Sequence, residues 1–295
     1  MTTVAHAAGR LRMRREAEWV GAVRRLALLP VVLGVLWGLW EGYRAIWVAT
    51  GWTWPFTADG TTMPHIHLIV RQLFEPSRLN GPLLIHVLFD SALFTAKEAA
   101  AGFAIGASVG FLLAVVLVHS RLLQRGLLPY IVASQTIPLL AIAPMVVVGL
   151  GSKGVTGWLS VAVTAAYLTF FPVTINALRG LQSADPHALE LMRSYAASSW
   201  AVLWKLRVPA SLPYLFAALK VSATASVVGA IISELPSGIQ EGLGGAILNF
   251  NQYYVTEPKN LWATNLIAAL LGILFFLAVV VAEKLVVRRA PEHVA

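Results

Sequence analysis

The sequence contains no cysteine and few charged residues. The absence of cysteine excludes disulfides, thiolate nucleophiles and cysteine-bound metals. Only 12% of the 295 residues are charged, about half the share that is typical of soluble domains. Hydrophobic residues make up 58% of the chain, and its mean hydropathy is +0.72. We therefore predict an all-α integral membrane protein, in which lipid receives much of the apolar surface.

Long apolar segments set the number of membrane spans. A spanning helix needs about 20 mostly apolar residues. About six segments qualify, at residues 26–48, 92–118, 127–149, 155–178, 212–235 and 261–282. The third contains Pro138 and Pro144, which remove backbone donors, so we expect this span to be kinked or broken.

Basic residues alternate between the two ends of these spans. One side collects Arg10, Arg12, Arg14, Arg15, Arg24, Arg25, Arg121, Arg125, Arg179, Arg193, Lys205, Arg207, Lys284, Arg288 and Arg289. The other side has only Arg44, Arg71, Arg78, Lys153 and Lys259. The positive-inside rule then predicts cytoplasmic N- and C-termini. The same bias accounts for the net charge of +8 without nucleic acid as a partner.

The segment of residues 49–90 is predicted to lie on the outer side. It follows Trp47 and begins with Trp52, Trp54 and Phe56, which suit a membrane interface. It also holds His65, His67 and His86, without tight spacing and without a carboxylate beside them in the sequence. We therefore expect a surface loop or short interfacial helix, and no metal site.

Catalytic and nucleotide-binding motifs are missing. The segment GLGSKG at residues 149–154 lacks the Gly-Lys-Ser/Thr order of a phosphate-binding loop. There is no GxSxG and no HExxH, and we expect no pair of carboxylates within the membrane. The ionisable residues in the spans are Lys97, Glu98, Lys220 and Glu234, with Lys97 and Glu98 predicted near the outer half of their helix. The sequence thus predicts no catalytic residues and no cofactor.

Three glycines share one face of the second span. Gly102, Gly106 and Gly110 are spaced i, i+4 and i+8, which allows another helix to approach closely. We predict helix packing here rather than a ligand site.

An amphipathic segment interrupts the apolar chain after the fourth span. Asp185 and Pro186 form a strong helix start, with an N-cap acid followed by proline. Glu190 and Arg193 share a face of this helix and are spaced for an ion pair. Ser198 or Ser199 is placed to cap a second short helix, which Pro209 is expected to end.

The spacing of this segment resembles a motif of the permease subunits of bacterial ABC importers. That motif has Glu-Ala-Ala, three residues, Gly, nine residues and Ile-x-Leu-Pro. The chain has Glu190-Leu191-Met192, then Ala196, then Leu206-Arg207-Val208-Pro209 at the same spacing. TIPLLAIAPMVVVGLG (136–151), FFPVTINALRGL (170–181) and EGLGGAIL (241–248) are similar to segments of the nitrate/sulfonate/taurine-type permeases. The likeness covers about residues 85–285.

This resemblance implies a type I ABC importer permease fold in a bacterial cell membrane. It divides the chain into a cytoplasmic tail (1–25), a first helix with the outer loop (26–84), a permease domain (85–285) with a coupling segment at 185–209, and a second tail (286–295). The implied partners are an ABC ATPase dimer, a second permease subunit (identical or different), an extracytoplasmic solute-binding protein and membrane lipid. The residues carried over to ATPase coupling are Glu190, Arg193, Ala196, Lys205, Arg207 and Pro209.

The chain departs from the family motif at three positions. Leu191 and Met192 replace the two alanines, and Ala196 replaces the glycine. A non-glycine residue in a left-handed corner costs about 1–2 kcal/mol. Either Ala196 stays helical and the corner moves to Ser198 and Ser199, or the strain is tolerated.

Polar residues in the third and fifth spans are candidates for a substrate pathway. They are Gln135, Thr136, Ser222, Ser226, Ser233 and Glu234. The alternative for the serines is a hydrogen bond to a carbonyl of their own helix. The acid in SELPSG (233–238) and the aromatic NFNQYY (249–254) favour a vitamin or heterocyclic precursor, of riboflavin or thiamine-pyrimidine type, over sulfonate, taurine or nitrate.

Two other functional classes compete with this interpretation. A stand-alone secondary carrier or channel would need no ATPase, but the small number of ionisable residues in the spans disfavours it. A membrane-embedded enzyme is disfavoured by the missing catalytic motifs.

Overall fold

The computed structural model describes residues 28, 30–51, 54, 57–78 and 81–287. Within these ranges the chain is helical, with no β-strand beyond an isolated bridge between Pro76 and Leu83. The predicted basic tail, Trp52, Phe56, Arg288 and Arg289 lie outside the described residues. The chain divides into two compact units, which meet in sequence between Val70 and Arg71.

The first unit contains helix α1, at residues 30–50, and the segment that follows it. Helix α1 corresponds to the first predicted span, whose beginning lies outside the described residues. Trp47, Ala58 and Met63 form a small buried cluster against Trp40, so the segment after α1 folds back onto the end of this helix. The short helix α2 (Ile66–Gln72) follows, as expected for this region.

The helices of the second unit are, in chain order, α3 (Leu84–His119), α4 (Arg121–Ser134), α5 (Leu139–Gly151), α6 (Gly157–Gln182), α7 (Pro186–Ser194), α8 (Ser199–Val202), α9 (Val208–Ser237), α10 (Leu243–Gln252) and α11 (Pro258–Val286). Among the described residues, four helical segments are long and apolar enough to cross a membrane: α3, α6, α11 and the continuous stretch Ser199–Ser237. The pair α4 and α5 makes a fifth if it counts as one broken span.

Proline breaks the predicted third span. Helices α4 and α5 meet at an angle of 99°. The break falls just before Pro138, which precedes α5 in an extended conformation, whereas Pro144 lies inside α5. Of the two alternatives, a kink or a break, the structure has the break, because Pro138 offers no N–H to continue a helix.

Helix α6 lies at the centre of the bundle, packed against both α3 and α9. A Cβ atom added at Gly106 would lie 2.5 Å from the carbonyl oxygen of Ala166, and Cβ atoms at Gly102 and Gly110 would lie 2.7 and 2.8 Å from carbonyl oxygens of α6. The backbones of α3 and α6 are therefore too close for any side chain along this stripe.

We expect Gly106→Ala to destabilise the protein, because the added methyl group meets backbone rather than a flexible side chain. Overpacking of this kind costs about 1–3 kcal/mol. Gly272→Ala on α11 is the matched control, since a Cβ at Gly272 has nothing within 4 Å. Thermal unfolding in detergent should show a lower midpoint for Gly106→Ala and an unchanged midpoint for Gly272→Ala. Equal midpoints for the two variants would contradict the close packing of α3 on α6.

Candidate coupling surface and buried carboxyl pair

The segment between α6 and α9 projects from the bundle and is held at both ends. Ala184 is 5% exposed and Leu203 is 1% exposed, and Leu203 packs in a core cluster with Leu178 and Leu181. Helix α7, between these anchors, has no buried residue. The bundle thus fixes the position of α7 and leaves its surface open to a partner.

The caps of the two short helices are those expected. Asp185 accepts a hydrogen bond from the backbone N–H of His187 at 2.9 Å, with Pro186 at the first helical position. Ser198 caps α8 by accepting from the N–H of Ala201 at 3.2 Å. The predicted start of α7 is confirmed, and Ser198 rather than Ser199 makes the second cap.

Ala196 forms the corner between α7 and α8 in a left-handed conformation, with φ of +48°. Its N–H donates to the carbonyl of Arg193 at 2.9 Å, and the N–H of Ala197 donates to the carbonyl of Met192 at 3.0 Å. These two bonds make a Schellman helix end, in which the left-handed position usually holds glycine. Ala196 therefore does not stay helical, and the strain of a left-handed alanine is tolerated at this corner.

The expectation that Pro209 ends the second short helix is wrong. The chain continues from α8 through one π-helical turn, Leu203–Arg207, directly into α9. The N–H of Val208 reaches back five residues to the carbonyl of Leu203. Proline is tolerated in the first turn of a helix, and the wider turn lets Pro209 follow without a break.

The surface of this segment combines charge with exposed apolar side chains. Glu190, Arg193 and Lys205 are exposed, Arg207 is half-buried, and Glu190 forms no ion pair with Arg193. Leu191, Tyr195, Trp200 and Trp204 also lie open, with Tyr195 78% exposed. The sequence analysis did not include Tyr195, Trp200 and Trp204 in this surface. The signal was present, since four large apolar residues lie among polar ones where two helices meet at a corner.

The predicted pathway residues fall into two groups. Gln135 and Thr136 are exposed at the break between α4 and α5. Ser222, Ser226, Ser233 and Glu234 are fully buried inside this one chain. Ser226 and Ser233 bond to carbonyls of their own helix, whereas Ser222 donates to the carbonyl of Thr169 on α6. In this conformation only Gln135 and Thr136 reach an open surface.

The expectation that no carboxylate pair lies within the spans is wrong. Glu98 on α3 and Glu234 on α9 are both fully buried, and Glu234 is hydrogen-bonded to Thr95, one turn before Glu98 on α3. Neither oxygen of Glu98 has a hydrogen-bond donor among the described groups. The pair was missed because the two acids are far apart in sequence. The signal was the run Thr95, Glu98, Gly102 along one face of α3.

Glu234 connects α9 to α3 and to the start of α10. Its Oε1 accepts from the hydroxyl of Thr95 at 2.6 Å, and its Oε2 accepts from the N–H of Gly244. The Thr95 hydroxyl in turn accepts from the N–H of Leu243 at 2.8 Å. Two of the N–H groups at the N-terminus of α10 are satisfied in this way.

Only glycine fits around this carboxylate. A Cβ at Gly242 would lie 2.2 Å from Glu234 Oε1, and a Cβ at Gly244 would lie 2.6 Å from Glu234 Cβ. Gly242 and Gly244 of the EGLGG sequence therefore form the wall of the Glu234 pocket.

The two lysines that the sequence analysis placed in the spans, Lys97 and Lys220, each have a partner. Lys220 forms an ion pair with Glu283 of α11 at 2.6 Å. Lys97 lies 4.0 Å above the ring of Trp158, where a cation is attracted to the aromatic face. Neither lysine forms an ion pair with Glu98 or Glu234.

The family follows from comparison with known proteins. Residues 106–290 match the binding-protein-dependent transport system inner membrane component family. The chain belongs to this family. It is a permease, an integral membrane protein of the ABC transporter class, as the resemblance of the motif at residues 190–209 predicted.

Relatives of this permease act on different solutes. It is 33% identical over 226 residues to the formylaminopyrimidine transport permease protein ThiX of Halalkalibacterium halodurans, covering 73% of this chain and 87% of the relative. It is 30% identical over 202 residues to the riboflavin transport system permease protein RibX of Chloroflexus aurantiacus, covering 68% and 73%. It is 26% identical over 245 residues to the putative aliphatic sulfonates transport permease protein SsuC of Bacillus subtilis, covering 83% and 80%.

A solved structure shares the fold. The crystal structure of an amino acid ABC transporter with histidines matches with a TM-score of 0.52 and 20% identity, over 70% of this chain and 95% of that chain. This likeness shows the ABC permease fold.

Proposed function

We propose that this permease passes a small solute across the membrane on energy from a separate ATPase subunit. The observation that carries the proposal is the exposed surface of residues 185–209. It is fixed to the bundle through Ala184 and Leu203, so a force applied to α7 is transmitted to α6 and α9. A partner ATPase that grips this surface would move the two helices at the centre of the bundle.

The full assembly we propose has a second permease subunit, an ATPase dimer and an extracytoplasmic solute-binding protein. The coupling residues are those of the motif, Glu190, Arg193, Ala196, Lys205, Arg207 and Pro209. To these we add Leu191 and Tyr195, because exposed apolar groups at a corner supply the desolvated contacts on which most binding energy depends. With the termini in the cytoplasm, this surface faces the ATP-hydrolysing side.

We propose a heterocyclic vitamin or vitamin precursor as the solute. The two relatives at 30% identity or more named above are permeases for formylaminopyrimidine and for riboflavin. Helix α9 is about 45 Å long, so α10 lies at the far end of the bundle from the coupling surface. A cavity of about 290 Å³ there is lined by Arg78, Asn249, Phe250 and Tyr253, among others. Aromatic rings with amide and guanidinium donors suit a flat polar heterocycle.

Reconstitution in liposomes separates this function from a stand-alone carrier. The permease would be purified in complex with its proposed ATPase subunit, and uptake of pyrimidine and flavin solutes would be measured with the binding protein present. We expect uptake to require ATP on the side of the liposome membrane where the ATPase subunits lie. Uptake by the permease alone, driven by an ion gradient, would support the carrier instead.

We expect Tyr195→Ala to weaken the association of the ATPase subunit by about 10- to 100-fold, as truncation of a buried interface aromatic typically does. The matched control is Val255→Ala, an 85% exposed apolar residue in the segment between α10 and α11. Association of purified permease in nanodiscs with the ATPase would be followed by surface plasmon resonance. A wild-type affinity for Tyr195→Ala would place the ATPase contact elsewhere.

A further inference from the structure

Two histidines and a carboxylate meet in the first unit, and from them we propose a binding site for a divalent transition metal of the zinc type. Glu41 lies on α1, whereas His65 and His67 follow the connecting segment. The ligand atoms of the three side chains all lie within 4.8 Å of one another. His65 Nδ1 is 2.6 Å from Glu41 Oε2, and the two imidazole rings are 5.2 Å apart. The sequence analysis singled out the two histidines but not Glu41, because the carboxylate comes from a different helix.

The carboxylate has a free position for a cation. Glu41 Oε1 is buried and has no hydrogen-bond partner. Asp59, the acid of the connecting segment, is by contrast occupied, because the hydroxyls of Thr61 and Thr62 each donate to it at 2.6 Å. Those hydrogen bonds lower the pKa of Asp59. Glu41 is therefore the acid available to a metal.

The donor set selects the class of metal. Imidazole nitrogen suits zinc, copper, nickel and iron, whereas calcium and magnesium prefer oxygen ligands. Ligands about 2 Å from a tetrahedral zinc lie roughly 3.3 Å from each other, so the contact between Glu41 and His65 would open by less than about 1 Å as the metal replaces the shared proton. Three protein ligands leave a fourth position for water or another ligand.

The charge around the site predicts an exchangeable metal. The Arg44 guanidinium acts on Glu41 from the same helix and opposes a second cation. His67 is exposed, so the metal can enter from solvent. A bound metal would connect His67 of α2 to Glu41 in the middle of α1, in a part of the chain that precedes residues 106–290 of the family match. The site is thus separate from the proposed transport function.

Titration with Zn²⁺ and Co²⁺ tests the site. The full-length permease would be purified in detergent on a tag without histidine, and binding followed by calorimetry and by the visible absorption of Co²⁺. We expect one equivalent per chain. His67→Ala and Glu41→Gln should each weaken binding by about 10-fold or more. His67 is exposed, so its loss should leave folding intact. His86→Ala, outside the cluster, is the matched control and should bind as the wild type does.

Thermal unfolding gives a second readout. Zn²⁺ should raise the unfolding midpoint of the wild type and of His86→Ala, but not of His67→Ala, because a ligand stabilises only the state that binds it. Absence of binding to the wild type would overturn the proposal and leave Glu41 and His65 as a structural hydrogen bond. Binding that survives His67→Ala and Glu41→Gln unchanged would also overturn it, by placing the metal elsewhere.

Discussion

Replacing Ala196 with proline should abolish ATP-driven uptake while the permease still inserts in the membrane. Ala196 has φ of +48°, whereas the proline ring fixes φ near −65°. Proline also removes the N–H that donates to Arg193. Both changes alter the orientation of α8 relative to α7. Because α7 buries no residue in the bundle, the spans should remain folded.

The readout is ATP hydrolysis stimulated by the solute-binding protein in the reconstituted complex. We expect stimulation to fall at least about 10-fold, which corresponds to about 1.4 kcal/mol of coupling. Ala196→Gly is the matched control. It relieves the left-handed strain of about 1–2 kcal/mol at a smaller entropic cost, so activity should be retained and stability unchanged or higher. Full stimulation in the proline variant would show that the corner does not couple the two subunits.

The coupling segment shows how far sequence reasoning can go when structure is local. The caps at Asp185 and Ser198 were predictable, because each depends on residues within one turn. The backbone conformation of Ala196 was left open between two alternatives, since local propensity disfavours a left-handed alanine. Tertiary packing selects the left-handed conformation, because the buried residues Ala184 and Leu203 fix where α7 and α8 must lie. The π-helical turn before Pro209 was not predictable, because only tertiary packing distinguishes it from a helix end.

The carboxyl pair shows where sequence reasoning fails. Glu98 and Glu234 meet only because the glycine stripe brings α3 against α6, and α9 packs on both. The spacing of the glycines predicted close packing of α3 on another helix, but it did not predict which helix. The same holds for Glu41 and His65, which are joined by a fold-back of the chain after α1. One sequence can show that a polar residue such as Glu98 lies on a packed helix face, but it does not show which distant residue it meets.

Glu234→Ala should be the most destabilising single change in the bundle. It removes the acceptor of the Gly244 N–H and of the Thr95 hydroxyl, and it leaves a cavity among fully buried groups. Each buried donor left without a partner costs about 1–3 kcal/mol, so we expect a total of about 3 kcal/mol or more. For a chain of this size the unfolding midpoint in detergent should fall by roughly 6–12 °C.

Glu98→Gln is the matched control for Glu234→Ala. Neither oxygen of Glu98 has a hydrogen-bond partner, so an amide at this position breaks no hydrogen bond among the described residues. Glutamine has nearly the volume of glutamate, so the change also opens no cavity. We therefore expect Glu98→Gln to unfold within about 1 kcal/mol of the wild type.

The same two variants separate an anchoring role for Glu234 from a role in the substrate pathway. An anchor predicts that stability and uptake fall together in Glu234→Ala, and that both survive in Glu98→Gln. A pathway residue predicts an unchanged unfolding midpoint in Glu234→Ala with a loss or altered selectivity of uptake. The burial of Glu234 beneath Gly242 and Gly244 favours the anchor, because no open route reaches its carboxylate in this conformation. Solute crossing would then depend on surfaces such as Gln135 and Thr136, which face outward from the break between α4 and α5.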